Sequence, residues 1–563
     1  MKRAPESVAV VAPRPLDLLI QRWLAPALIA FGVVLWFATA NYRTLTEPDE
    51  GRYAEIPREM VASGDWITPH LNAMPYLEKP PLQYWATALA YRVFGFDPWV
   101  SRLWSQTLGL LGIVVTYLLG RTLWDRRAGM LAALILASCP LYFVVAHINT
   151  LDIGLAFFLN AALACFIVAQ RAAERSPAER RWMWLCWLAL AAGFLQKGLV
   201  ALVLPGLTLC IYSLIYKDVS FWRRLHPLAG VLIVAALTLP WLVLVSARNP
   251  EFLNFFFLHE HLARFTTTTH RRAEPWWYFL AILFVGVIPW LVTMVRAVIA
   301  KACTPAGGKV LAAERLLLVW AVTVVVFFSL SGSKLAPYIV PAMMPLALLA
   351  GNWLRTRETP DIARSIMVSA SIFCTLLACS SLIIVALIPP GIKRTAYLQI
   401  GEWGQMAAVI GMASVVGCLI LRRQNVHGAI GTIAAGFVAA LTVLICGSNS
   451  IELTRGRQGL AAEVAPHLGP DTPFYCVGMY WQTLPFQLRR TCTAVQYRGE
   501  LGLQFDPQRQ HWIENVDEFV PRWNEQVEAV AIVNPKVWDQ LVAADIQAKV
   551  VVRDAKVVVM VRR

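Results

Sequence analysis

Charge is scarce in this chain. Asp, Glu, Lys and Arg together make 15% of it against 58% hydrophobic residues, and a mean hydropathy of +0.55 excludes an ordinary soluble globule. Acid is scarcer than base, 35 residues against 50, which leaves a formal excess of +15. Such an excess would suit a nucleic-acid binder, but no nucleic-acid motif accompanies it. The basic residues sit mostly in short clusters between apolar runs, where they orient a membrane protein. Metal-ligand spacing is missing among the eleven cysteines. Cys139, Cys165, Cys186, Cys210, Cys303, Cys374, Cys379, Cys418 and Cys446 lie in or at apolar runs, where cysteine behaves as a small hydrophobe. Cys476 and Cys492 alone fall in a polar segment. Internal repeats and low-complexity tracts do not stand out. What is abundant is long apolar runs and tryptophan, and these imply an α-helical polytopic membrane protein.

A hydrocarbon core of ~30 Å needs about 20 apolar helical residues. Lys2, Arg3, Arg14 and Arg22 precede a first run that ends near Ala40. Ala38-Thr39-Ala40 also fits a secretory cleavage site, but the run exceeds the roughly 7 to 15 residues of a signal core, so an uncleaved span with a cytoplasmic N-terminus is expected. The piece from Pro80 to Gly95 is too short to cross at ~1.5 Å per residue and is expected to lie in the outer interface. Val100 to Gly120 then becomes the second crossing. The basic clusters at Arg121–Arg127, Arg171–Arg181, Tyr216–Arg224, Arg296–Arg315, Arg355–Ser365 and Leu421–Gln424 all land in the cytoplasm. The layout closes at about thirteen spans within residues 1–446, leaving 447–563 outside. In that tail the runs DTPFYCVGM, VEAVAIVN and AKVVVRDAKVVVMVRR alternate with turns, and a helix is predicted from Pro535 to Ala544 with Asn534 as its cap. A small α/β domain is expected there. In an oxidising outer compartment Cys476 and Cys492 are expected to pair.

With sides assigned, the unusual polar residues gather outside. The first outer loop, 41–99, carries TEPDEGRYAEIPREM and GDWITPHLNAMPYLEKPPLQYW, and its GRYAEIPREM patterns as a short surface helix interrupted by Pro57. Other outer ends add HINTLD, QKG, the loop 247–275 with HEHLARF, and SGSKLAPYIVP. A transporter would place ionisable groups at the midplane of broken or repeated helices, and this chain shows little of that.

The segments DEGRYAEIPREM, GDWITPHLNAMPYLEKPPLQYW, QKGL, SKLAPYIVPAMMP and YCVGMYWQTLPFQLRR resemble the signatures of polyprenyl-phosphate-dependent membrane glycosyltransferases of GT-C type, most closely the lipid A 4-amino-4-deoxy-L-arabinose transferase family. The DE pair alone is shared with protein mannosyltransferases. Ser333-Lys334-Leu335 departs from the family's serine-lysine-arginine. The resemblance implies transfer of an aminosugar from undecaprenyl phosphate to a phosphate of lipid A at the periplasmic face of a Gram-negative inner membrane. No nucleotide cofactor is implied, and the chain is expected to act as a monomer. Masking anionic lipid with a cationic sugar would lower attraction for polymyxin and similar peptides. The alternatives are a related transferase with a protein hydroxyl acceptor and a non-enzymatic lipid-linked-sugar flippase.

Breaking an anomeric carbon to phosphate-oxygen bond while a second phosphate attacks requires fixed positive charge. Lys79, Arg52 and Arg264 are the first candidates for it, and Lys197 and Tyr338 the second. Against them stands interfacial snorkelling or a loop ion pair. The resemblance places a catalytic aspartate at Asp49, and Asp152 at the lip of a span is similar; a helix cap or salt bridge is the plainer explanation of each. Tyr53, Trp66, Trp85, Trp276 and Trp277 could line a sugar or lipid site, although aromatics belong at membrane interfaces anyway. Glu78 and His259, with His261 and His270, could hold zinc or manganese, but HEHLARF lacks the i, i+4 histidine pair of a metalloprotease helix.

Overall fold

The computed structural model describes residues 30, 32–263, 274–303, 311–357, 360–423, 425–451, 459–497, 499, 501 and 511–562. Helix α1, Asp49–Ser63, opens the outer loop with Asp49 and Glu50 in its first turn, where carboxylates suit the positive helix end. Gly64 ends it at φ 73°, a left-handed position that glycine takes without a Cβ clash. Neither a surface helix nor an interruption is found. Pro57 sits inside one continuous helix, and every residue from Glu50 to Met60 is buried. Buried charge must be paired, and these charges are. Arg58 grips Glu55 through two contacts of 2.6 Å. Glu59 accepts the backbone N–H groups of Asn72 and Ala73 at 2.6 and 2.8 Å, at the turn between β1, His70–Leu71, and β2, Met74–Pro75.

Helix α2, Leu82–Phe94, is the piece too short to cross. It buries Gln83, Tyr84, Thr87, Ala88 and Tyr91 at helical spacing and leaves Leu89, Val93 and Phe94 exposed, an apolar face suited to an interface. Among the described residues, seven helices are long and apolar enough to cross a bilayer, including α3, Pro98–Leu123, and α4, Leu151–Arg171. Three bent pairs raise that to ten if each is one span. Thirteen is reached only by adding α5, Pro177–Lys197, the shorter Val200–Tyr216, and the first run, of which residues 23–29 and 31 lie outside the described residues. Charges at both ends of α5, among them Glu179, Arg180, Arg181 and Lys197, keep it below a purely apolar threshold.

The tail folds as expected in kind. Six strands order as β5-β4-β3-β6-β8-β7: β3 Phe474–Val477, β4 Thr493–Val495, β5 Trp512–Ile513, β6 Ala529–Val533, β7 Lys549–Arg553 and β8 Val558–Arg562. The first four pair in parallel and the last two antiparallel. A short helix, Leu460–Val464, precedes the sheet, and among the helices that accompany the strands are α6 Thr483–Leu488, α7 Val516–Glu525 and α8 Pro535–Ala543. In the last of these Asn534 caps the N–H of Lys536, as its sequence signals. Alternate residues of β3 and β6 face opposite ways. Tyr475, Val477, Ala531 and Val533 pack on Phe519, Trp523 and Trp538 of the tail's own helices. Phe474, Cys476, Val530 and Ile532 join a second core with Tyr53, Ile56, Met60 and Tyr76 of the outer loop. One face of the tail sheet is therefore roofed by α1 and the hairpin.

Cys476 and Cys492 form a disulfide across a sequence separation of 16. Closing a loop of that size stabilises by about 3 kcal/mol. Replacing both cysteines by serine is expected to lower the melting temperature of the tail by several degrees, read by calorimetry of the solubilised chain with and without dithiothreitol. An added reductant should shift only the unsubstituted protein.

Candidate active site

Two strings of polar contacts meet where the outer loop touches the helix ends. In the first, Arg52 reaches Asp49 Oδ1 at 3.2 Å and the Tyr76 hydroxyl at 3.2 Å, and that hydroxyl donates to Glu78 Oε2 at 3.0 Å. The Asp49 side chain is 43% exposed, unlike the buried acids that follow it in α1. In the second string, Lys79 Nζ donates to Glu260 Oε2 at 2.7 Å and to the Glu78 carbonyl at 3.0 Å. Lys197 pairs with Asp152 and lies 4.6 Å from the centre of the Tyr338 ring. Local folding explains that pair: Lys197 ends α5 and Asp152 begins α4, each at the helix end whose dipole favours its charge. Tyr53 stands between the strings, its phenol under the fields of Arg52, Asp49, Glu78 and Asp152. Burial pushes its pKa up, so it stays a neutral donor.

Lys79, Lys197, Glu260, Ser331, Ser333 and Tyr338 line one cavity of about 480 Å³ whose remaining wall is apolar. Leu199 and Phe257 also line a second cavity of about 560 Å³, walled by side chains such as Phe166, Trp187, Trp222 and Trp320. Cations at one end and hydrocarbon along the rest fit an amphiphile with an anionic head.

The structure thus gathers Asp49, Arg52, Tyr53, Glu78, Lys79, Asp152, Lys197 and Tyr338 into one region. Arg52 is buried and held by Asp49 and Tyr76, so it orients the aspartate as much as it offers charge. Arg264, His270 and the side chain of His261 lie outside the described residues. His259 is half exposed, with Nδ1 3.6 Å from Glu260 Oε1, while Glu78 faces Tyr76. Among the described residues no three His, Cys, Asp or Glu side chains converge as metal ligands. Trp85 donates to the Trp66 carbonyl, and Trp276 and Trp277 are exposed; none of the four lines the cavity. Glu260 and Tyr76 were not anticipated from the sequence. A lone acid between two histidines in HEHLARF, and a tyrosine two residues before Glu78, were the available signals.

Family models match two stretches of the chain: dolichyl-phosphate-mannose-protein mannosyltransferase over 22–256 and the aminoarabinose transferase C-terminal domain over 460–562. The undecaprenyl phosphate-alpha-4-amino-4-deoxy-L-arabinose arabinosyl transferase 1 of Sodalis glossinidius is 36% identical over 403 residues, 70% of either chain. Transferase 2 of Proteus mirabilis is 33% identical over 71% of either chain. Among solved structures, ArnT from Cupriavidus metallidurans bound to undecaprenyl phosphate superposes with a TM-score of 0.89 at 35% identity, covering 96% of this chain and 98% of that one. Its apo form gives 0.87 at 34% identity. A likeness that runs through membrane helices, outer loop and tail alike makes the chain a member of the undecaprenyl phosphate-α-4-amino-4-deoxy-L-arabinose arabinosyl transferase family.

Proposed function

We propose that this protein moves 4-amino-4-deoxy-L-arabinose from undecaprenyl phosphate to a phosphate of lipid A, at the periplasmic face of the inner membrane, and so lowers surface negative charge. The observation that carries this reading is the pair of lysines at the head of an apolar cavity, a seat for a phosphate on a long hydrocarbon. The relatives at 33–36% identity all bear the aminoarabinosyl transferase name, which disfavours a protein hydroxyl as acceptor. The N-terminus lies in the cytoplasm and the tail outside, following the basic clusters.

In the transfer, the bond between the anomeric carbon and the donor phosphate oxygen breaks with its electron pair leaving on that oxygen. An oxygen of the acceptor phosphate bonds to the same carbon. Lys79 and Lys197 neutralise the departing phosphate, and Arg264 is a further cation for it. An acceptor phosphate is already ionised near neutral pH, so no base is required to activate it. Asp49 stabilises the positive charge that develops on the sugar ring, with Tyr53 as a neutral hydrogen-bond donor, while Tyr76, its own hydroxyl donating to Glu78, holds Arg52 in place.

Glu260 and Asp152 now occupy the lysines as internal counter-ions, so a phosphate must displace them. Lys79→Ala is expected to lower kcat/KM for the donor about 30- to 100-fold, the loss of one charged phosphate contact. Glu260→Gln should act oppositely on binding and lower the donor KM about threefold or more, because an amide competes less well for the ammonium. Steady-state kinetics with defined lipids, with the product read by mass spectrometry, check both. A donor kcat/KM unmoved by Lys79→Ala would remove Lys79 from the phosphate seat, and no modified lipid A from the unsubstituted protein would sink the reading itself.

A further inference from the structure

The residue that presents Asp49 is itself held by the tail domain. Glu47, two positions earlier, is buried and accepts the backbone N–H of Gln482 at 2.9 Å, the backbone N–H of Thr483 at 2.6 Å and the Thr483 hydroxyl. Three donors on one carboxylate, all from the start of α6, fix the peptide from which α1 springs. A second contact presses from the other side. A Cβ built on Gly51 would lie 2.6 Å from both the Gln482 carbonyl carbon and the Thr483 nitrogen, so α1 and that peptide touch backbone to backbone. Farther along, Asn72 exchanges two hydrogen bonds with the backbone of Cys492, at 2.8 and 2.9 Å, and Glu59 holds the Asn72 N–H. The tail and the outer loop also share one hydrophobic core, so the latch is backed by packing.

We propose that Glu47 and Thr483 are positioning residues for the transfer, and that the tail domain serves catalysis by setting where the Asp49 carboxylate stands. The inference rests on the proposed role of Asp49. Neither residue lines the lysine cavity, so donor binding does not pass through them. A misplacement of about 1 Å at a reacting group costs up to about 10²-fold in rate. Gly51 gives the sharpest sign. On helix propensity alone an alanine there would stabilise α1, whereas the contact with the tail makes the added methyl push α1 away.

The test is kinetic, on the full chain in lipid nanodiscs, with melting measured on the same samples. Thr483→Val removes one donor at constant shape and is expected to lower kcat about tenfold with the donor KM within twofold. Thr483→Ser, which keeps the hydroxyl, should restore it. Gly51→Ala and Glu47→Ala should each lower kcat about 10²-fold, again with the donor KM nearly unchanged. Should Thr483→Val and Gly51→Ala turn over at the normal rate per folded molecule while Asp49→Asn is inactive, the tail is only a structural neighbour and the proposal falls. An active Asp49→Asn would overturn it differently, by removing the role on which it rests.

Discussion

Asp49→Asn is expected to lower kcat about 10³-fold while the protein folds normally and binds donor as before. The substitution changes charge and almost nothing else. An amide oxygen still accepts from Arg52, as Oδ1 does at 3.2 Å, and the side chain is 43% exposed, so no buried group is left unpaired. Loss of a negative charge from the first helical turn costs α1 only about 0.3–1 kcal/mol. The catalytic loss is larger because a fixed carboxylate opposes charge that exists only while the sugar is between two phosphates, and such preorganised groups are worth about 10²–10³-fold or more. A thousandfold change corresponds to about 4 kcal/mol of transition-state stabilisation. The measurement is turnover at saturating donor and acceptor, beside a binding assay with undecaprenyl phosphate alone. Full turnover in the asparagine variant would make Asp49 a partner of Arg52 and no more.

Much of this arrangement was legible because its signals are local. Length alone marked Pro80–Gly95 as too short to cross, and its helix α2 has 13 residues; the Asn534-Pro535 start gave α8 to within a residue. Pairing of Cys476 with Cys492 followed from compartment and from the apolar surroundings of the other nine. Helix α7 was passed over, although Asn515 caps the Glu518 N–H at 2.8 Å in the spacing of a capping box; Pro521 inside it obscured the pattern. The larger misreading concerns α1. A run of charges looks solvated unless its partners can be seen, and the partners are distant in sequence. Arg102 lies 52 residues from Glu50, Asn72 lies 13 from Glu59, and Thr483 lies 436 from Glu47. Composition carries no record of such pairings, so the stretch that resembled a scaffold on the surface is a buried joint between loop, membrane helices and tail. Its charges divide between the buried ones, fastened by such partners, and the exposed Asp49.

That division makes Glu50 the sharpest contrast with its neighbour, since Glu50→Gln is expected to cost about 3–5 kcal/mol of stability. The carboxylate is fully buried between two guanidiniums, with Arg43 at 2.7 and 3.0 Å and Arg102 at 2.9 and 3.0 Å. It also accepts the backbone N–H groups of Thr46 and Asn149 at 3.0 and 2.9 Å. Burial alone would raise its pKa, but Arg102 and Arg43 outweigh burial and hold the group well below the ordinary glutamate range. A group depressed in this way contributes its stability in full above the unfolded value of about 4.3 and loses it as pH falls through the folded value. Glutamine removes that contribution at every pH and turns an NH₂ toward donors that have no other acceptor of equal strength. Because Arg102 stands on α3 and Asn149 just ahead of α4, the loss loosens the outer loop from α3 and from the helix that carries Asp152. Thermal melts of the two adjacent variants should therefore separate cleanly: Asp49→Asn near the unsubstituted protein, Glu50→Gln far below it and poorly accumulated in membranes. Equal melting temperatures would mean that water reaches the Glu50 site and that the guanidiniums are not held by it.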